Sequence, residues 1–262
     1  MKRLDGIGIT FKGSGSYLPQ QVLSNHDLSR IVDTSDEWIK TRTGISNRRI
    51  SKPDEDVCHM GYKAASKALE MANWPADSID LIILATSTPS DLFGSAPIIQ
   101  SKLGANNAFA FDLTAACSGF LFALITASQY LKAGSYKRAL VIGADQLSSY
   151  VDWSDRGSCI LFGDGAGAIA IESNIDTNNL CGFTMRTDGD RGSFLKLASK
   201  NEMGTINDDL VFKYFPDFIG SKKDKYEKFK DYIINFYDFC FELPLDNVVR
   251  EVINFKYSYG ST

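Results

Sequence analysis

The stretch that decides the fold is DLTAACSGFLFALITASQYLKAG, residues 112–134. Its first residues complete an apolar, strand-like run, and residues 118–133 carry apolar side chains at helical spacing. Cys117 lies at the junction between the two. A cysteine at the start of a helix is close to unsatisfied backbone N–H groups and to the positive end of the helix dipole, and both favour the thiolate. The pattern therefore makes Cys117 a candidate nucleophile.

The neighbours of Cys117 are small, which leaves room for a thioester to reach the sulfur: Ala115, Ala116, Ser118 and Gly119. A backbone N–H beside the nucleophile could also hold a developing oxyanion. Cysteine is, however, one of the residue types most often buried in protein cores. From this stretch alone, Cys117 is either a nucleophile or one more small buried residue.

Short apolar runs alternate with helical patterns on both sides of this stretch, which indicates the α/β class. The predicted strands are residues 7–12, 80–88, 108–114 and 138–149, the predicted helices are 36–43, 57–73 and 118–133, and residues 159–173 predict a pair of strands or a bulged ribbon. The runs at 80–88 and 108–114 are nearly continuous in apolar residues, which predicts strands buried on both faces.

Composition excludes several classes of protein. The chain has 262 residues, 44% of them hydrophobic, and a net charge of −4, which argues against a general electrostatic grip on nucleic acid. Its five cysteines form no C-x-x-C pair, which is typical of a reducing compartment rather than a disulfide framework. The first residues lack a signal-peptide core, and no segment has 18 consecutive apolar residues. We therefore expect a cytoplasmic protein that is neither secreted nor membrane-spanning.

Four segments together resemble one known family: residues 13–45, 112–124, 151–173 and 187–197. In order and in spacing they are similar to the β-ketoacyl-ACP synthase III family, the condensing enzymes that start fatty-acid synthesis, and in particular to cyanobacterial and plastid-type members. The resemblance implies a thiolase-like fold with α-β-α-β-α layers. It further implies a complete N-terminal half over residues 1–185 and a partial, divergent and truncated C-terminal half over 186–262. A plastid-encoded member would lie in the stroma.

The resemblance also implies site residues. Cys117 would take the acetyl group from acetyl-CoA and pass it to the carbanion formed from malonyl-ACP, which gives acetoacetyl-ACP. Trp38 and Arg156 would sandwich the CoA adenine, with Thr34 and Arg42 nearby, because an indole and a planar guanidinium are suited to stacking on a base.

Phe93 resembles the residue that reaches across a homodimer interface to close the acyl pocket of the other subunit. The alternative is an ordinary loop anchor. The GDGAGA segment has glycines at alternate positions, which do not match the G-x-G-x-x-G spacing of a dinucleotide loop. We therefore expect no cofactor beyond the CoA thioester substrate, and no metal.

The sequence departs from the family at the groups needed for condensation. The family uses a His and an Asn from its second half, whereas the histidines here are His26 and His59, which we interpret as a surface residue near a helix cap and a residue on a helix face. Ser261 would stand where the family has its Asn. Two hypotheses follow: a β-ketoacyl-ACP synthase III, or a truncated or divergent paralogue without the His/Asn pair that is limited to acyl transfer or serves as an inactive interaction subunit.

Overall fold

The computed structural model describes residues 8–174, 180 and 182–189. The strands are β1 Ile9–Tyr17, β2 Gln21–Ser24, β3 Asn47–Ile50, β4 Leu81–Ala85, β5 Phe109–Leu113, β6 Arg138–Gln146 and β7 Asp164–Ser173. The α-helices are α1 Asn25–Leu28, α2 Asp36–Thr43, α3 Val57–Ala72, α4 Ala96–Leu103, α5 Gly119–Lys132 and α6 Arg156–Cys159. The α/β class predicted from the sequence is confirmed for these residues.

A five-stranded mixed sheet has the order β1-β7-β6-β4-β5. Strand β4 pairs in parallel with β5 and β6, and β7 pairs antiparallel with β6 and β1. All five residues of β4 are buried, as predicted for a strand covered on both faces. The same prediction for residues 108–114 is wrong, because β5 is the edge strand of this sheet and Phe109 is 49% exposed.

Helices cover both faces of the sheet. On one face, α3 and α4 pack on a cluster that includes Met60, Ala64 and Leu140. On the other face, α5 packs on a cluster that includes Leu124 and Val141. The result is a helix–sheet–helix arrangement, whose apolar burial stabilises the position of the first turn of α5 relative to the strand ends.

A β-bulge and two glycines let α3 lie directly on β1. The pairing of β1 with β7 shifts between Phe11 and Gly13, so the residues on either side of the shift face opposite sides of the sheet. A Cβ atom at Gly13 would lie 2.3 Å from the Ala68 carbonyl oxygen, and one at Gly15 would lie 2.2 Å from that of Ala64. Only glycine fits so close to the helix backbone.

Some elements differ from the sequence predictions. Strand β1 runs from Ile9 to Tyr17, further than the predicted 7–12. Residues 159–173 form the end of α6 and the single strand β7, so the predicted pair of strands is wrong. The sequence did not predict α4 or the β2–β3 hairpin, and strands of four residues are too short to show alternation. The predicted boundary between halves at residues 185 and 186 stays a prediction.

Candidate active site

Cys117 lies on a strained turn between β5 and α5. The turn is the 3-10 segment Ala116–Ser118, and its first residue has a φ of +45°, in the left-handed region that L-residues rarely adopt. The Ser118 N–H donates to the carbonyl oxygen of Ala115 at 3.1 Å, which closes the turn. The chain thus passes from an edge strand into a 14-residue helix within a few residues, with the cysteine at the junction.

Exposure distinguishes Cys117 from the other cysteines that the structure describes. Cys117 is exposed, whereas Cys58 and Cys159 are buried. Burial raises the pKa of both buried thiols, which disfavours their thiolates. The interpretation of Cys117 as a small buried residue is therefore wrong, and it is the accessible thiol among these three.

Two glycines bring the start of α5 close to the sheet. A Cβ atom at Gly119 would lie 3.3 Å from Cβ of Ala85, the last residue of β4. A Cβ atom at Gly143 in β6 would lie 3.2 Å from the ring of Phe120. This packing holds Cys117 beside the carboxyl ends of the parallel strands, the edge of an α/β sheet where ligands commonly bind.

Asp112 ties the end of β5 to the start of α4. Its carboxylate accepts hydrogen bonds from the backbone N–H groups of Ser95 at 2.7 Å and Ala96 at 2.6 Å. The loop before α4 presents Leu92 and Phe93, which are 98% and 97% exposed. A side chain this exposed does not hold the loop in place, so the loop-anchor interpretation of Phe93 is wrong. Asp112, which the sequence did not single out, fixes the end of this loop.

The predicted nucleotide residues Trp38, Arg42 and Arg156 lie together although they are far apart in sequence. Ser35 caps α2 through its hydroxyl, which accepts the Trp38 N–H at 3.1 Å. One turn later on the same helix, Cζ of Arg42 lies 4.3 Å from the centroid of the Trp38 ring. Cζ of Arg156 in α6 lies 4.7 Å from the same ring. We call these three side chains the Trp38 cluster.

The surroundings of the Trp38 cluster suit an anionic ligand with a planar base. Arg156 also donates to the backbone oxygen of Asp33 at 3.1 Å. The adjacent Thr34 has a buried hydroxyl oxygen with no hydrogen-bond partner among the described residues. No ion pair within the described part of the chain includes Arg42 or Arg156. Cationic groups over an indole can stack on a base and attract phosphate.

A buried polar pair, Asn25 and Arg48, lies beneath these helices and was not found from the sequence. Arg48 is 1% exposed, and burial lowers its pKa to about 10. Its Nη1 atom donates to Oδ1 of Asn25 at 2.6 Å, and its Nε atom donates to the carbonyl oxygen of Ile160 at 2.9 Å. The NRRI segment contains two arginines, and nothing in the letters indicates which of them is buried.

The remaining predictions concern histidine and the family Asn. His26 is exposed beside the cap of α1, and His59 lies half-buried on α3 with its ring 5.5 Å from that of Tyr17, as expected for both. Ser261 lies outside the described residues.

No helix in the described part is long and apolar enough to cross a membrane. The same residues contain no group of three or more His, Cys, Asp or Glu side chains arranged to hold a metal ion.

Comparison with known proteins identifies the family of this chain. The model of the 3-oxoacyl-[acyl-carrier-protein (ACP)] synthase III family matches residues 111–189, which include Cys117. A β-ketoacyl-[acyl-carrier-protein] synthase III from Prochlorococcus marinus (strain MIT 9515) is 71% identical over 206 residues, which are 79% of this chain and 62% of the relative. The chain belongs to the β-ketoacyl-ACP synthase III family. A second relative, from P. marinus subsp. pastoris (strain CCMP1986 / NIES-2087 / MED4), is 71% identical over 209 residues.

Solved structures confirm the fold expected of a β-ketoacyl-ACP synthase III family member. The 3-oxoacyl-[acyl-carrier-protein] synthase III of Aquifex aeolicus VF5 has a TM-score of 0.74 and 45% identity, over 79% of this chain and 67% of that one. The enzyme from Pseudomonas aeruginosa PAO1 has a TM-score of 0.72 and 35% identity, over 79% of this chain and 66% of that one. The thiolase-like fold and the cyanobacterial type expected from the sequence are thus confirmed. The chain spans about 62% of the length of the curated relatives.

Proposed function

We propose that this protein is a β-ketoacyl-ACP synthase III that condenses acetyl-CoA with malonyl-ACP to acetoacetyl-ACP. The observation that carries the proposal is the exposed Cys117 on a strained turn at the start of α5, inside the segment that the family model matches. The names of the relatives support the same activity. None of the comparisons favours the alternative of an inactive interaction subunit.

The first half-reaction is acylation of Cys117. The thiolate attacks the thioester carbonyl of acetyl-CoA, and a new C–S bond forms while the carbonyl oxygen becomes an oxyanion. The first backbone N–H groups of a helix point out of its N-terminal end, and those of α5 stabilise the negative charge of this oxyanion. Collapse of the intermediate breaks the bond to CoA, whose thiolate leaves and takes up a proton. The acetyl group remains on Cys117 as a thioester.

The second half-reaction is condensation. Malonyl-ACP loses CO2, and the resulting carbanion attacks the acetyl carbonyl on Cys117. The C–S bond breaks, and acetoacetyl-ACP leaves with the Cys117 thiolate restored. The family resemblance assigns stabilisation of the carbanion to a His and an Asn of the second half, whereas residues 186–262 contain no histidine. Condensation is therefore tested separately from acylation.

The Trp38 cluster is the proposed binding site for the CoA nucleotide. The adenine would stack on the Trp38 ring, and the Arg156 side chain, whose Cζ lies 4.7 Å from that ring, would move outward to cover the other face of the base. Arg42 would add positive charge for phosphate, and Thr34 would offer its buried hydroxyl. The reaction as proposed uses no cofactor beyond the CoA thioester. The proposed partners are therefore acetyl-CoA and malonyl-ACP.

A homodimer is also part of the proposal. In the described sheet β5 is an edge strand, and unpaired strand edges tend to pair with another chain. Phe109 on this strand and the nearby Leu92 and Phe93 expose large apolar side chains. We infer that β5 meets its counterpart in a second copy, and that Phe93 enters the acyl pocket of that copy. The two-half organisation with a boundary at 185 and the cytoplasmic location stay expectations.

Labelled acetyl-CoA tests the proposal on the 262-residue chain. We expect one acetyl group per chain, located on Cys117 by peptide mapping, and labelled acetoacetyl-ACP after malonyl-ACP is added. The variant Cys117→Ala should take up no label, whereas Cys58→Ala, which alters a buried thiol, should take up label as the wild type does. Label without a ketoacyl product would reduce the function to acyl transfer. Equal labelling of the wild type and Cys117→Ala would overturn the proposal.

A further inference from the structure

Two separate segments of the chain meet at the Trp38 cluster, and their relative position needs a physical cause. Trp38 and Arg42 belong to α2, whereas Arg156 belongs to α6, more than 100 residues later. Helix α6 has only four residues, so it cannot hold its own orientation through internal hydrogen bonds. The direct bond between Arg156 and the Asp33 carbonyl lies at an exposed site, where such contacts are weak.

Arg48 provides a buried connection to α6. Its Nε atom and its Nη2 atom both donate to the carbonyl oxygen of Ile160, the residue that caps the C-terminal end of α6. The fork of N–H groups on a guanidinium fixes the direction of the carbonyl that it binds, which a single-point donor does not. Arg48 therefore fixes the end of the helix that begins with Arg156.

Asn25 provides the connection to α2. Its Nδ2 atom donates to Oδ1 of Asp36, the first residue of α2, at 2.9 Å. The same atom donates to the carbonyl oxygen of Ile45, just beyond the C-terminal cap of α2, at 2.7 Å. Asn25 thus binds both ends of the helix that carries Trp38, and its Oδ1 atom accepts the hydrogen bond from Arg48.

Stability alone does not explain this buried polar pair. Within the described residues Arg48 has no ion pair, so a full positive charge is buried against neutral acceptors. Such burial is costly, and apolar replacements of buried charges are often neutral or stabilising. The surrounding apolar cluster of Leu28, Ile39, Ile45, Cys159 and Ile160 already supplies non-directional packing. What the polar pair adds is a fixed geometry.

We propose that Asn25 and Arg48 are positioning residues, which hold helices α2 and α6 side by side so that Trp38 and Arg156 can bind the CoA nucleotide from the two helices. This inference rests on the nucleotide site proposed above. Neither residue touches the reacting atoms. Their loss should therefore weaken the use of donors that carry the nucleotide and spare donors that lack it.

A comparison of two acyl donors tests the role of Arg48. One donor is acetyl-CoA, and the other is the acetyl thioester of N-acetylcysteamine, which has no nucleotide. In Arg48→Lys we expect KM for acetyl-CoA to rise about tenfold, because remote misplacement of binding groups costs one to two orders of magnitude. The rate of Cys117 acylation by the small thioester should stay within about twofold of the wild type. The matched control is Arg49→Lys, which changes the exposed arginine next in the strand and should leave both donors unaffected.

A double-mutant cycle separates the two proposals. If Arg48 acts through the Trp38 cluster, the effect of Arg48→Lys on acetyl-CoA should vanish in a Trp38→Ala background. Persistence of the same factor there, or an equal loss with both donors, would overturn the positioning role while leaving the nucleotide site intact. If Trp38→Ala itself leaves KM for acetyl-CoA unchanged, the nucleotide site fails and the positioning role fails with it.

The variant Asn25→Asp keeps the test decisive if Arg48→Lys does not fold. An aspartate still accepts the hydrogen bond from Arg48, but it has no N–H to donate to Asp36 and the Ile45 carbonyl. The buried arginine therefore keeps its partner while both ends of α2 lose theirs. We expect the same selective rise in KM for acetyl-CoA, and an unchanged KM in this folded variant would overturn the proposal.

Discussion

Two tryptophans of this protein lie beside arginine side chains, and the two arrangements differ in how the charge is balanced. Cζ of Arg138 lies 4.6 Å from the ring of Trp74, and its Nε atom forms an ion pair with Glu172 at 2.9 Å. At the Trp38 ring lie two guanidinium groups, those of Arg42 and Arg156. The ion pairs of the described residues include neither of these two.

The difference helps to distinguish an arginine–tryptophan contact that is purely structural from one that belongs to a proposed binding site. At Trp74 the guanidinium has a carboxylate partner, because Arg138 and Glu172 stand directly opposite each other in the β6–β7 pair, and Lys12 shares that carboxylate at 3.7 Å. At Trp38 two guanidinium groups lie beside one ring, and neither forms an ion pair with another described residue, so an anion bound there would meet positive charge that is not already paired. The guanidinium groups without an ion pair therefore support the proposed nucleotide site at Trp38, whereas an Arg–Trp contact alone would not.

The largest expected effect is on CoA affinity when each tryptophan is replaced in turn. Trp38→Ala should weaken binding of CoA by about 10- to 100-fold, because stacking of a base on an aromatic side chain contributes about 1–3 kcal/mol. Trp74→Ala should leave the affinity unchanged, although it removes a side chain that packs against the core and so lowers stability. Isothermal titration of the folded variants with CoA measures both. An equal loss in the two variants would mean that the two stacks do not differ in function.

The next effect concerns the charges. Arg156→Gln and Arg42→Gln should each weaken CoA binding by about three- to tenfold, and each should reduce the dependence of affinity on salt, because fewer cations then face the phosphates. Arg138→Gln is the matched control, since its charge already has a carboxylate partner, and it should change neither quantity. CoA titrations at low and high ionic strength give the result. A salt dependence that is the same in Arg156→Gln and in the wild type would place the phosphates elsewhere.

Local sequence made Cys117 a candidate nucleophile and the family resemblance favoured that role, but neither predicted the geometry around it. The junction of an apolar run with a helical pattern identified Cys117 because strand, turn and helix follow one another within the same 23 residues. The strain at Ala116 and the exposure of the thiol depend on how α5 packs on the sheet at Gly119 and Gly143, which periodicity does not encode. The candidate nucleophile could be recognised in one segment, whereas the position of its thiol depends on several segments.

The Trp38 cluster, in contrast, could not be predicted from any local pattern in the sequence. Trp38 and Arg156 were paired only through a family resemblance, since no local pattern relates residues in α2 and α6. Arg48 was not found at all, because strand β3 is four residues long and its alternation is too brief to assign one arginine to the interior. Long-range hydrogen bonds between short elements leave no periodic trace in the sequence, even where they connect the helices of a proposed binding site.

The smallest expected effect is on the stability of the Arg138–Glu172 ion pair beside Trp74. Glu172→Gln removes the carboxylate that balances Arg138, and it should lower the free energy of unfolding by less than about 1 kcal/mol, because both side chains are partly exposed and such pairs are weak. A double-mutant cycle with Arg138→Gln, followed by urea unfolding, gives the coupling energy. The variant removes the carboxylate partner of both Arg138 and Lys12, and it leaves one guanidinium beside the Trp74 ring, where Trp38 has two. If a single unbalanced arginine beside a tryptophan were sufficient for nucleotide binding, Glu172→Gln would acquire a second CoA site. We expect one site in the titration, because the proposed nucleotide site also has a second guanidinium beside the ring and the helix arrangement that we assign to Asn25 and Arg48.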